Sequence, residues 1–148
     1  MPEQTFRLSD YDETIRAVLE SGGEFTIFPR GTSMLPLIVQ GRDGAALEKA
    51  PVKPGDIAFY QRADGSYILH RVISQQDGSF TMCGDNQLSP EPGIKPEQII
   101  ARVKYLTRKG KKLPPEKLSY RLYVFLWRSF FIRRVYFKLR RLLHGGEG

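Results

Sequence analysis

Asp56-Ile57-Ala58-Phe59-Tyr60-Gln61, Tyr67-Ile68-Leu69-His70-Arg71-Val72-Ile73-Ser74 and Ser79-Phe80-Thr81-Met82-Cys83 follow one another in the middle of a 148-residue chain. These runs are rich in β-branched and aromatic residues, and Ala63-Asp64-Gly65 and Gln76-Asp77-Gly78 lie between them. Asp-Gly readily takes the positive φ that a tight hairpin needs, so three antiparallel strands are predicted here. Working outward, Glu24 to Phe28 alternates as a strand should, and Pro29-Arg30-Gly31 turns the chain out of it. Ala46–Glu48 and Gln98–Leu106 add two more strand candidates. Residues 9–21 read as a short helix, with Ser9 as N-cap, Asp10 and Asp12 in the first turn and Gly22-Gly23 as the stop. Residues 1–107 are therefore expected to form one mainly β domain, a small, partly open β-barrel or folded sheet.

Beyond it the composition changes. Residues 1–107 carry 11 Lys and Arg against 14 Asp and Glu, whereas residues 108–143 carry 12 against the single Glu116. Residues 108–118, with Gly110 and Pro114-Pro115, read as a basic linker, residues 119–143 as one long amphipathic helix, and residues 144–148 as a flexible tail. On a helical wheel Ile132, Val135, Tyr136, Leu139, Leu142 and Leu143 share one face, and Arg133, Arg134, Lys138, Arg140 and Arg141 the opposite one. A cationic face backed by an apolar one with interfacial aromatics predicts an anionic membrane surface as partner and disfavours nucleic acid.

The lone Cys83 excludes an intramolecular disulfide, and two histidines, His70 and His144, are too few for a histidine-rich metal site. No secretory signal and no run of about 18 apolar residues is visible, so no transmembrane helix is expected. The expectation is a cytoplasmic protein, peripheral at the inner face of the membrane, that needs neither metal nor cofactor.

Four residues carry the candidate chemistry. Ser33, in Gly31-Thr32-Ser33-Met34-Leu35-Pro36, supplies a hydroxyl beside a restrained backbone. His70 interrupts an apolar strand and is a natural general base near neutral pH. Asp85, in Gly84-Asp85-Asn86, and Glu91, held between Pro90 and Pro92, are carboxylates that a loop could present to the imidazole.

In this order the segments resemble the superfamily of type I signal peptidases and LexA-like self-cleaving repressors. Gly31 to Pro36 is similar to its nucleophile box and Gly55-Asp56-Ile57-Ala58-Phe59-Tyr60 to the strand that follows. Leu69-His70-Arg71-Val72-Ile73 is similar to the base box, and Gly84-Asp85-Asn86-Gln87 to the last one. The resemblance covers about residues 25–107 and is closest to the branch with a histidine base. It implies Ser33 as nucleophile, His70 as base, and Asp85 or Glu91 as the third member. Gly31 has no hydroxyl for the oxyanion, so backbone N–H groups such as that of Ser33 would serve.

The implied activity is that of a serine endopeptidase acting on an extended peptide or protein segment. Two alternatives stand beside it. One is a peptidase fold used only for binding. The other is self-cleavage, for which Ala45-Ala46 and Ala50 are the small-residue candidates.

Overall fold

A computed structural model describes residues 8–144. A 3-10 turn over Leu8–Tyr11 leads into α1 (Asp12–Glu20), so the N-cap is Tyr11, which makes no side-chain cap, rather than Ser9. Ile15 and Leu19 of α1 are buried in the main core.

Among the described residues eight strands follow: β1 (Phe25–Ile27), β2 (Gly44–Glu48), β3 (Ile57–Gln61), β4 (Tyr67–Gln76), β5 (Ser79–Cys83), β6 (Glu91–Ile94), β7 (Ile99–Arg108) and β8 (Lys111–Leu113). They form one antiparallel sheet in the order β1-β2-β7-β3-β4-β5-β6, with β8 against β7. β1 and β6 end that order without pairing to each other, so the sheet is folded but not closed. Register shifts in β2–β7, β3–β7, β4–β5 and β5–β6 mark bulges, which bend strands and let such a sheet curl.

Side chains alternate along each strand, so the sheet has two apolar faces. Ile57, Phe59 and Leu69 join Met34, Leu37 and Ile38 in one cluster, and Ala58, Tyr60, Val72, Phe80 and Met82 form the other. β4 is thus packed on both faces. The two-residue turn Asp77-Gly78 has positive φ at both residues, as its Asp-Gly sequence leads one to expect. Ala45 and Ala46 lie in β2 between β1 and β7 and are fully buried, so the peptide bond joining them is closed to attack.

The C-terminal region departs from its expected form. Residues 108–118 are not a plain linker, because Lys109 and Gly110 both take positive φ and close a hairpin that pairs Arg108 with Lys111. The expected single helix is two, α2 (Leu118–Trp127) and α3 (Phe130–His144), separated at Arg128-Ser129. Arg133, read as part of a solvated cationic face, is completely buried. His144 ends α3, and the rest of the expected tail, residues 145–148, lies outside the described residues.

Candidate active site

The turn that carries Ser33 is built from local hydrogen bonds and then fastened to a distant loop. Leu35 N–H donates to Thr32 O at 3.2 Å, and Leu37 and Ile38 N–H both donate to Met34 O at 3.0 Å. The Leu35–Pro36 bond is cis. Asn86 N–H donates to Ser33 O at 2.9 Å and Asn86 Nδ2 to Thr32 O at 3.0 Å. A Cβ at Gly84 would stand 2.4 Å from Ser33 O, so only glycine lets the loop come this close.

His70 lies on β4 opposite Ala58 of β3. Ser33 and His70 line one narrow pocket of about 150 Å³, walled by Met34, Ile38, Phe59 and Leu69. Among the described residues no hydrogen bond joins the two groups. The ring of His70 also opens on a second depression of about 350 Å³, shared with Arg62, Leu88, Ser89 and Glu91.

Between His70 and Glu91 stands a residue that the sequence did not single out. Tyr60 is fully buried, its hydroxyl donates to Glu91 Oε1 at 2.6 Å, and the same oxygen lies 3.5 Å from His70 Nδ1. Glu91 Oε2 is 2.8 Å from Arg62 Nε. Since the Tyr60 proton goes to the carboxylate, a hydrogen bond across this 3.5 Å gap requires the imidazole proton on Nδ1, the tautomer that leaves Nε2 free. Burial, reinforced by the Arg62 charge, pushes the His70 imidazole down to about 4, so it is uncharged at neutral pH. Burial and the Glu91 bond raise the Tyr60 phenol far above its ordinary range and keep it protonated.

Asp85 has other partners. Arg71 forks onto it, Nε to Oδ1 and Nη2 to Oδ2, both at 2.8 Å, and both side chains are fully buried. Tyr123 Oη donates to Oδ2 at 2.7 Å, and Trp127 Nε1 to the Asp85 backbone carbonyl at 2.9 Å. Burial works against the Arg71 charge, but the Asp85 carboxylate outweighs it and raises the guanidinium further. Burial and the Asp85 charge likewise raise Tyr123. Arg133 completes the arrangement from α3, donating to Gly84 O at 2.6 Å, Gln87 O at 2.9 Å and Trp127 O at 2.7 Å.

Of the four candidates, Ser33 and His70 therefore share a pocket and Glu91 reaches His70 through Tyr60, while Asp85 serves a buried ion pair. Nothing in spacing pointed to Tyr60, although it shares a strand face with His70 and stands two residues from its cross-strand partner. The backbone of Tyr67 to His70 has a further property. β4 pairs with β5 only from Arg71 onward, so this stretch keeps one edge without a strand partner among the described residues. No cluster of His, Cys, Asp and Glu suited to a metal ion occurs among them either. Comparison with family models, with curated proteins and with solved structures finds no match for this chain.

Proposed function

We propose that the chain is a serine endopeptidase of the signal peptidase and LexA-like type. The observation that carries the reading is the pocket common to Ser33 and His70, with an uncharged imidazole whose Nδ1 side is already occupied by Tyr60. The order of the sequence segments around these residues supports the same reading.

In the proposed reaction His70 Nε2 takes the hydroxyl proton as Ser33 Oγ bonds to the peptide carbonyl carbon. The carbonyl electrons move onto oxygen, which the Ser33 backbone N–H stabilises. Collapse breaks the C–N bond, and the leaving amine takes the proton from Nε2. Water then attacks the acyl-enzyme by the same route, with His70 again as base. The Nδ1–H, Tyr60 and Glu91 series holds the ring in the tautomer this needs. The unpaired edge of Tyr67 to His70 suits a substrate bound in extended form, which adds main-chain hydrogen bonds at such an edge.

The test is mass-spectrometric profiling of a mixed peptide library incubated with the full chain and with Ser33→Ala. The wild type is expected to produce defined cuts, and the variant to lose them by a factor of roughly 1000 or more while melting at the same temperature. A wild type that cuts nothing, or a variant that cuts alike, would refute the reading.

A further inference from the structure

An amphipathic helix of a globular protein ordinarily turns its apolar stripe to the core and its charges to water. The two C-terminal helices turn large apolar side chains to water as well as charges. They meet the body through Tyr123, Trp127 and Arg133, which bond to Asp85, Gly84 and Gln87. Eight of the twelve large apolar side chains exposed among the described residues lie on α2 and α3. Phe125 and Phe131 keep 73% and 74% of their surface in water.

At 100° per residue, Leu118, Leu122 and Phe125 fall opposite the docked side of α2. On α3, Phe131, Val135 and Leu142 fall opposite the buried Arg133. Arg134, Lys138 and Arg141 run along one flank of that outer face, all exposed and none paired with a carboxylate among the described residues. Each helix thus carries an exposed apolar stripe, and a cluster of large apolar side chains left in water marks something that covers it.

We propose that the outer face of α2 and α3 adsorbs to an anionic lipid surface, its apolar side chains entering the interface and its cations meeting the phosphate layer. Among the described residues no helix is long and apolar enough to cross a membrane, so the helices would lie along the surface. A second copy of the chain fits less well. The sequence holds no Asp or Glu between Glu116 and Glu147, so the face of one copy would set cations against cations. Nucleic acid would answer the charge and leave the apolar residues uncovered. The inference goes beyond the peptidase reading and does not depend on it.

The experiment is co-sedimentation of the full chain with vesicles of equal phosphatidylglycerol and phosphatidylcholine, and with vesicles of phosphatidylcholine alone. Wild type is expected in the pellet with the anionic vesicles and largely in the supernatant with the neutral ones. Neutralising the flank (Arg134→Gln, Lys138→Gln, Arg141→Gln) should lower anionic partitioning by roughly 100-fold, at one several-fold factor per cation. Replacing the apolar face (Phe131→Ser, Val135→Ser, Leu142→Gln) should lower it by a factor of roughly 100 as well. All six positions are exposed, and unchanged circular dichroism and melting would confirm that both variants fold.

A wild type that stays in the supernatant with anionic vesicles, or variants that partition as it does, would overturn the proposal. So would a wild-type mass doubled in light scattering and returned to that of one chain by the apolar variant, which would make a second copy the occupant. Peptide cleavage in vesicle-free solution reads the catalytic proposal separately.

Discussion

His70 and Arg71 are neighbours on β4, yet they project to opposite faces of the sheet into surroundings built on different terms. Arg71 is enclosed: its fork meets both oxygens of Asp85 at 2.8 Å, its Nη1 donates to Gly55 O at 2.7 Å, and Tyr120 and Tyr123 lie over its charge. His70 is held loosely, 3.5 Å from one phenol, and opens on two pockets. Each residue is linked to an acid, Asp85 in one case and Glu91 in the other. A carboxylate saturated by a guanidinium and a phenol fixes geometry and has nothing left to offer an imidazole. A partly exposed one at the end of a short relay can respond when the imidazole takes up a proton.

The largest expected effect would come from Asp85→Ala. It leaves the buried Arg71 without its counter-charge and should reduce stability by about 3–5 kcal/mol in denaturant unfolding. A loss under about 1 kcal/mol would break the contrast. Next comes Tyr60→Phe, which keeps the ring and removes the link. It should reduce stability by only about 1 kcal/mol but slow the proposed peptide cleavage on the order of 100-fold. Cleavage at the wild-type rate would show the relay to be idle. Glu91→Gln should sharpen the comparison from the other end, with a smaller change in rate and almost none in melting temperature, the reverse of what Asp85 variants do.

A further test concerns pH. Because the folded His70 binds its proton only near pH 4, whereas the unfolded one binds it near 6.5, the unfolded chain holds the extra proton between these values. Stability is therefore whole above about pH 6.5 and declines as pH falls toward 4. Unfolding curves of wild type and His70→Asn at pH 7, 5.5 and 4.5 should converge as the pH falls. Parallel curves would place the imidazole in water.

Much of the sheet was legible because its hairpins are local. Asp77-Gly78 and the alternating runs beside it specify strand, turn and strand within a few residues. β6 was hidden by its composition, since Glu91-Pro92-Gly93-Ile94 reads as loop. It survives as a strand because it is an edge, where a proline need not donate on the open side. The Lys111–Leu113 strand was hidden for another reason, as its pairing depends on two left-handed residues rather than on apolar pattern. Arg133 could not be read from the helical wheel, because two of the carbonyls it binds, Gly84 O and Gln87 O, are more than forty residues away. The pairing of Ser33 with His70 in one pocket was legible through residue type and order. Which of Asp85 and Glu91 lies toward His70 was not, since it turns on Arg71 and Tyr60, whose contacts exist only once the strands are paired.

The docking of Trp127 and Arg133 has a practical consequence for any attempt to simplify the molecule. What looks in sequence like a detachable tether is the outer wall of the Asp85 loop, and that loop in turn clasps the turn bearing Ser33. A chain cut after β8 would lose the roof over its own buried ion pair, and damage begun at the far terminus would arrive at the serine.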